Sequence, residues 1–310
     1  MISELFTLSV LVGIAHSGVR LATPYLYAAL GETFVQRSGV LNLGVDGMML
    51  MGAFSAFYVV FQGGDPWLGV LGALAVGALM GVLMALVSVT MQAEQGISGI
   101  GLYLFGLGLS DLLFKTMIGS VASVSGFGPW SIPLLSQLPV VGEIFFDHNP
   151  LIYIAYLLAP LSWFVLNKTT LGLKIRAVGQ NPEAADSLGV SVIGVRYTTL
   201  IIGGALAGLA GASLSIGLLN VFKENMTNGL GFIAVALVYF GGWRPYGVLA
   251  GALLFSTVNA LQLWVQVLEI PIPSDVAIML PYILTIVALA FAVRQVQQPA
   301  ALTKPFERGE

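Results

Sequence analysis

The sequence predicts an all-α polytopic membrane protein of about nine transmembrane helices, within a range of 8–10, with the N-terminus outside, the C-terminus inside and an inverted repeat. Three observations predict this. Of 310 residues, 57% are hydrophobic and 9% charged, with mean hydropathy +0.92, whereas a soluble domain carries roughly 25% charged residues. The charges are spaced so that long uncharged intervals separate them, and Lys and Arg gather on one side of the resulting spans. A net charge of −3 denies the chain the basic footprint of a nucleic-acid binder, and with no Cys it has no thiol chemistry.

A membrane helix needs about 20 mostly apolar residues to cross roughly 30 Å of hydrocarbon. The first span covers about 5–30 and is broken by Arg20. It follows Met-Ile-Ser-Glu with no basic residue before it and exceeds the core of a signal peptide, so it is expected to be retained. The second covers about 43–62 with Asp46 at its start, the third lies between Asp65 and Glu94, and the fourth covers about 97–118 with Asp111 and Lys115. Together they form a first repeat of about 1–120. An outer loop and a connecting helix occupy about 119–166. The loop is rich in Ser, Gly and Pro and carries Phe127 and Trp130, as suits the membrane interface, and the helix begins after Asp147. A cytoplasmic loop of about 167–196 leads to a second repeat of about 197–294. Its spans lie between Arg196 and Lys223, Glu224 and Arg244, Arg244 and Glu269, and Asp275 and Arg294, before a cytoplasmic tail of 295–310. The whole of 1–310 reads as a single transmembrane domain.

An outside N-terminus puts Arg37, Lys168, Lys174, Arg176, Arg196, Arg244, Arg294, Lys304 and Arg308 inside and leaves Lys223 in an outer loop. The outer loops are then acidic, with Asp65, Glu143, Asp147, Glu224, Glu269 and Asp275. A fifth span between two groups of four makes the second group run in the opposite sense to the first, as in inverted-repeat transporters. Gly44 to Gly52 and Gly231 to Gly241 each open a span. The Gly-x-x-x-Gly pairs Gly77/Gly81, Gly204/Gly208 and Gly247/Gly251 are read first as close helix packing.

Within the inner loop Asn181 suits a helix N-cap, Pro182 the first helical position, Glu183 the first-turn dipole and Gly189 the residue past the C-terminus. This predicts a short helix of about two turns outside the bilayer. Its small face, Ala184 and Ala185, would fit another protein's groove, and Lys174 and Arg176 would meet acidic residues or anionic membrane lipid. A solvated loop helix is the plain alternative.

This loop resembles the cytoplasmic coupling loop of ABC-importer permeases of the ribose and branched-chain amino acid class. The segment Ser38-Gly39-Val40-Leu41-Asn42-Leu43-Gly44-Val45-Asp46-Gly47-Met48-Met49-Leu50-Met51-Gly52-Ala53 is similar to their second-helix signature, and Gly229-Leu230-Gly231-Phe232-Ile233-Ala234-Val235-Ala236 opens a late span. Ala22-Thr23-Pro24-Tyr25-Leu26 and the short N-terminus are most similar to the smaller of two paired permeases in nucleoside importers that use a basic-membrane-protein-type binding lipoprotein. Asp46 departs from the pattern, where Glu is expected. The resemblance implies a permease that carries a neutral polar solute, nucleosides first, across the cytoplasmic membrane. Ribose, galactofuranose-like sugars and riboflavin-like flavins are the alternatives. It implies as partners a second, larger permease, a cytoplasmic ABC ATPase and an extracytoplasmic binding protein or lipoprotein. It also implies that Gly179, Gln180, Asn181, Pro182, Glu183, Ala184 and Ala185 couple to that ATPase. Independently, the chain has no Gly-x-x-x-x-Gly-Lys-Ser/Thr phosphate loop. ATP and Mg are therefore expected on the partner, with no cofactor on this chain and no enzymatic activity of its own.

Polar groups at bilayer depth are costly and are candidates for a pathway. Asn42 and Asp46, four apart, either line a gate near the inner mouth or cap and pack a helix start. Asn220 near an outer end, and Asn259 and Gln262 in the eighth span, either read solute hydroxyls or bridge helices. Asp111 and Lys115 are expected to pair with each other. An ion-coupled secondary transporter is the reading of a different class, with Asp46 its one candidate. An intramembrane enzyme lacks a constellation: His16 and His148 lie in unrelated sequence contexts, and there is no His-Glu-x-x-His.

Overall fold

Leu8–Arg37 forms one 30-residue helix, α1, through Pro24. The computed structural model describes residues 7–268 and 298–307, together with the single positions Val276, Met279, Ile283, Ile286 and Val287. After α1 come α2 (Val45–Phe61), α3 (Pro66–Ala85, continued by a π-helical turn over Leu86–Thr90) and α4 (Gln95–Met117). The starts of α3 and α4 follow from their caps. The Asp65 carboxylate accepts from Trp67 N–H with Pro66 at the first helical position, and the Glu94 carboxylate accepts from Gly96 and Ile97 N–H. Those two amide bonds hold the Glu94 carboxyl below the usual carboxylate range.

The loop that follows α4, expected to lie outside, carries local order that the composition did not announce. Strands β1 (Trp130–Ser131) and β2 (Asp147–His148) pair antiparallel around the short helix α5 (Val141–Phe145). Next are α6 (Pro150–Lys168), α7 (Thr170–Gln180), α8 (Pro182–Ser187) and α9 (Val192–Ala212, continued by a π-helical turn over Ser213–Leu218). The last described helices are α10 (Leu230–Phe240) and α11 (Pro245–Val267).

Eight expected spans thus coincide with α1, α2, α3, α4, α6, α9, α10 and α11. The ninth, between Asp275 and Arg294, lies outside the described residues apart from five isolated helical positions. Five of the helices are long and apolar enough to cross a membrane: 66–90, 95–117, 150–168, 192–218 and 245–267. With 17 and 11 residues, α2 and α10 are apolar but short.

The connections alternate between two ends of the bundle. At one end Arg37 Nε donates to Trp243 O at 2.9 Å, and Gln92 Nε2 donates to Phe306 O at 3.1 Å. This joins the turns after α1, α3 and α10 to the tail. At the other end Val124 N–H donates to Asn220 O at 2.9 Å, Asn149 Nδ2 donates to Gly217 O at 2.7 Å, and Trp67 packs edge-on against Phe127. Lys115 belongs to this second end, where it pairs with Glu224 at 3.2 Å rather than with Asp111 as expected, because the 219–229 segment folds over the end of α4.

Helix α9 is the centre of the bundle, packed on α1, α2 and α3. A Cβ on Gly77 would collide with the Gly204 carbonyl, one on Gly204 with the Gly77 carbonyl, and one on Gly81 with the Leu200 carbonyl. The paired small residues let α3 and α9 approach backbone to backbone, the packing role that small-residue pairs serve in membranes.

Candidate functional site

The site begins where α1 ends. Residues 38–44 form a largely buried connection, with turns at 38–39 and 43–44, that leads into α2. Gly39 turns it at φ +89°, and Ser38 Oγ donates to Val35 O at 2.7 Å. Leu41 N–H donates to Gln95 Oε1 at 2.8 Å. The Asn42 side chain closes an Asx turn by accepting from Gly44 N–H at 2.9 Å. Asn42 and Asp46 are 1% and 0% exposed.

The Asp46 carboxylate reaches across to residues about 180 positions further along the chain. Oδ1 accepts from Gly231 N–H at 2.7 Å and Oδ2 from the Thr227 hydroxyl at 2.9 Å, so Asp46 caps α10 while sitting in the first turn of α2. A Cβ on Gly231 would strike the Asp46 backbone. Two helix N-termini therefore abut inside the bundle and direct their partial positive ends at one buried carboxylate. At 1.5 Å per residue, α10 is roughly half as long as the hydrocarbon is thick. The two short helices start together inside the bundle and run to opposite ends.

Sequence reasoning passed over Glu32. This carboxylate is 1% exposed, and its Oε1 accepts from Gln36 Nε2 at 3.0 Å and from Asn42 N–H at 3.1 Å. Gln36 Oε1 in turn accepts from Trp243 Nε1 at 2.7 Å. The two helices that the 38–44 connection joins thus hold α10 at both ends, α2 through Asp46 at its start and α1 through the Glu32–Gln36–Trp243 chain just past its finish, and Asn42 N–H ties the connection to Glu32. The i, i+4 spacing of Glu32 and Gln36 at the end of an apolar helix was the available signal. Of the other polar candidates, Asn220 sits half-buried at φ +56° in the second end, and Asn259 and Gln262 sit half-buried on α11. The hydrogen bonds of Asp46 and Asn42 do not include any of these three.

Residues 169–191 form a separate unit at the first end. Thr169, Asn181 and Ser191 cap α7, α8 and α9 through the N–H groups of Gly172, Ala184 and Gly194, and Gly189 ends the unit's second helix at φ +82°. Ile175 and Val178 of α7 pack with Phe34, Leu166, Ala185, Val192 and Val195 as a second small core. Here one expectation is corrected. Ala184 faces outward, but Ala185 is 3% exposed within that core, because consecutive helical residues point about 100° apart. Gly179 is also buried, against the Arg37 carbonyl. Gln180, Asn181 and Glu183 are exposed, and Pro182 is half-buried.

At the second end the two histidines come together despite their unrelated sequence contexts: their rings stack with centroids 4.5 Å apart. His16 Nδ1 bonds Glu143 O at 2.7 Å and His148 Nε2 bonds Ile144 O at 2.9 Å, which pins the outer loop to α1. Burial pushes the His148 imidazole pKa down. Arg20, Asp147 and Asn149 line a recess of about 310 Å³ beside the stack.

A family model described as the permease component of the branched-chain amino acid transport system matches residues 14–289. The chain belongs to this permease family. The permease is 38% identical to TsgC13 of Haloferax volcanii, a permease protein named for glucose ABC transport, over 97% of this chain and 99% of the relative. It is 36% identical to the guanosine ABC transporter permease protein NupQ of Bacillus subtilis, over 93% of this chain and 94% of the relative. A second guanosine ABC transporter permease protein of that organism, NupP, is 30% identical over 89% of this chain and 81% of the relative. No solved structure matches the permease. The family and the long apolar helices make it a multi-pass component of an ABC transporter in the cell membrane.

Proposed function

We propose that this permease carries nucleosides through the cytoplasmic membrane, driven by a separate ABC ATPase that engages α8. The observation that carries the coupling reading is the 169–191 segment, which packs on α1, α6 and α9 through one small core. It presents Gln180, Asn181, Glu183 and Ala184 outward and keeps Gly179 against the last carbonyl of α1. Displacing α8 moves the end of α7 joined to it, where Gly179 lies against Arg37, the residue from which the 38–44 connection departs. That connection is bonded to Glu32 of α1 through Asn42 N–H and leads into Asp46 of α2, which caps α10, so movement at the surface reaches the helix junction through contacts that are short and buried.

The nucleoside reading is supported by the names of NupQ and NupP and by the scarcity of charge in the spans, which favours a neutral polar solute. That Bacillus subtilis has two such permeases, of which this chain covers 94% and 81%, supports pairing with a second, larger permease. We place nine spans in the membrane, with the N-terminus outside and α8 inside. An extracytoplasmic binding protein delivers the solute to the outer end, and ATP and Mg are bound by the ATPase. Asn259 and Gln262 are the pathway residues we favour, because Asn42 and Asp46 spend their hydrogen bonds inside the chain. The relation to TsgC13 favours glucose or another sugar as the second reading.

Replacing Ala184 with Trp tests the coupling. In proteoliposomes holding the complete transporter, ATP-driven nucleoside uptake is expected to fall roughly 5- to 150-fold, the usual span of coupling between sites, with membrane insertion and permease pairing intact. Unchanged uptake per ATP would remove α8 as the ATPase contact. Competition of guanosine uptake by glucose would decide for the sugar reading.

A further inference from the structure

The tail was expected to be a simple cytoplasmic extension, yet residues 298–307 are sewn across the end that carries α8. Ala301 N–H donates to Gly179 O at 2.9 Å, and Thr303 N–H donates to Gly39 O at 3.2 Å. Gln92 Nε2, in the turn before α4, donates to Phe306 O at 3.1 Å. Ala301 and Leu302 are buried, and Phe306 packs on the small core shared by α7, α8 and α9. Gly39 accommodates the crossing: a Cβ there would come within 3.0 Å of the Ala301 carbonyl oxygen. One strap thus joins three separate connections, those after α1, after α3 and around α8.

Two clefts flank the strap. The first, about 380 Å³, has Gln180, Asn181 and Glu183 on one wall and Ala300, Lys304 and Pro305 on the other. The second, about 470 Å³, lies between Phe306 and Glu307 of the tail and the turn from Gly189 to Ile193. Each cleft has one wall from the tail and one from the segment around α8.

We propose that residues 298–307 and α8 form one composite docking surface, and that the transporter's cytoplasmic ATPase enters the clefts between them instead of resting on α8 alone. This rests on the α8 reading given above. Continuity carries it: the first cleft opens directly on Gln180, Asn181 and Glu183, so a partner that covers α8 also covers the tail wall. Glu183 and Lys304 on opposite walls require a partner surface that offers both signs of charge. A body seated in the cleft moves the strap together with the junction of α7 and α8, because the Ala301–Gly179 bond ties the strap to the last turn of α7, just before the Asn181 cap of α8. The Thr303–Gly39 bond gives that motion a second route into the 38–44 connection, parallel to the contact of Gly179 with Arg37.

Ala300 is exposed on the tail wall, whereas its neighbours Ala301 and Leu302 are anchors. Ala300→Trp therefore fills the cleft without touching the strap's bonds. The experiment compares Ala300→Trp, Ala300→Ser and Ala184→Trp in the complete transporter in nanodiscs. It reads the Kd of the ATPase for the permease pair and solute uptake per ATP hydrolysed in liposomes. Ala300→Trp is expected to weaken ATPase binding roughly tenfold or more and to lower uptake, as Ala184→Trp does, while Ala300→Ser changes neither. Normal binding and uptake for Ala300→Trp, with Ala184→Trp impaired, overturns the composite surface and leaves the α8 reading standing. If both Trp variants are normal, the α8 reading fails and this inference with it. Should Ala300→Trp not assemble, Lys304→Glu probes the same wall under the same criteria.

Discussion

Asp46 is tolerated at a fully buried position because two helix N-termini and two hydrogen bonds answer its charge. Each helix end contributes a partial positive charge, and the Gly231 amide and Thr227 hydroxyl satisfy one oxygen each. Asp46→Ala strands both donors in the core, at about 1–3 kcal/mol for each unsatisfied group. Asp46→Asn keeps one acceptor for Gly231, and its amide can donate to the Thr227 oxygen, so it loses chiefly the charge–dipole part, about 1 kcal/mol. Thermal unfolding of the purified permease should rank wild type above Asn and Asn above Ala. Equal midpoints for Asn and Ala would mean that the two bonds contribute nothing. The spacing of Asn42 and Asp46 flagged this position in the sequence, but Glu32 stayed hidden. The first span was expected to end near residue 30, whereas α1 runs on to Arg37 and carries Glu32 into the core, satisfied by Gln36 and by the Asn42 amide.

At the scale of elements, some glycines meet the backbone of a neighbouring helix, some meet side chains and some face open space. Gly77 and Gly204 face each other's carbonyls across α3 and α9, whereas Gly108 on α4 has no heavy atom within 4 Å of its Cβ position. Gly77→Ala should therefore destabilise by about 1–3 kcal/mol through overpacking. Gly108→Ala should stabilise by roughly 0.5–1 kcal/mol, since Ala restricts the unfolded chain and favours the helix. Denaturation midpoints of the two variants should move in opposite directions, and a shared direction would show that α3 and α9 are not packed at Gly77. The glycine pairs were legible as packing devices because small residues at i, i+4 have one common use in membranes. Which pair met which was not legible, since that depends on how the spans are arranged. The same limit applies to the stack of His16 and His148, and to Ala184 and Ala185, whose opposite orientations only the placement of α8 against α7 and α9 decides.

At the scale of the whole molecule, the two ends differ in charge. The end that carries α8 holds Arg37, Lys168, Lys174, Arg176, Arg196, Arg244 and Lys304 against Glu94, Glu183, Asp186 and Glu307, while the other holds Asp65, Glu143, Asp147 and Glu224 against Lys115 and Lys223. Basic residues that flank short spans are retained on the cytoplasmic side, whereas acidic residues contribute little to orientation, so the first end should face the cytoplasm. The absence of Cys makes this directly measurable with single introduced thiols. Ser125 is exposed in the outer loop and Ser187 is exposed at the end of α8, with only α6 crossing between them. In intact cells a membrane-impermeant maleimide should label Ser125→Cys and spare Ser187→Cys, and inside-out vesicles should reverse the pattern. The reverse result in cells would put α8 and the tail outside, beyond the reach of any cytoplasmic ATPase. Labelling of both from one side would mean that α6 does not span, which would remove the odd connector that makes the two repeats antiparallel. Because α2 and α10 start together at Asp46 and leave toward opposite ends, the same assay also decides which of the two opens toward each compartment.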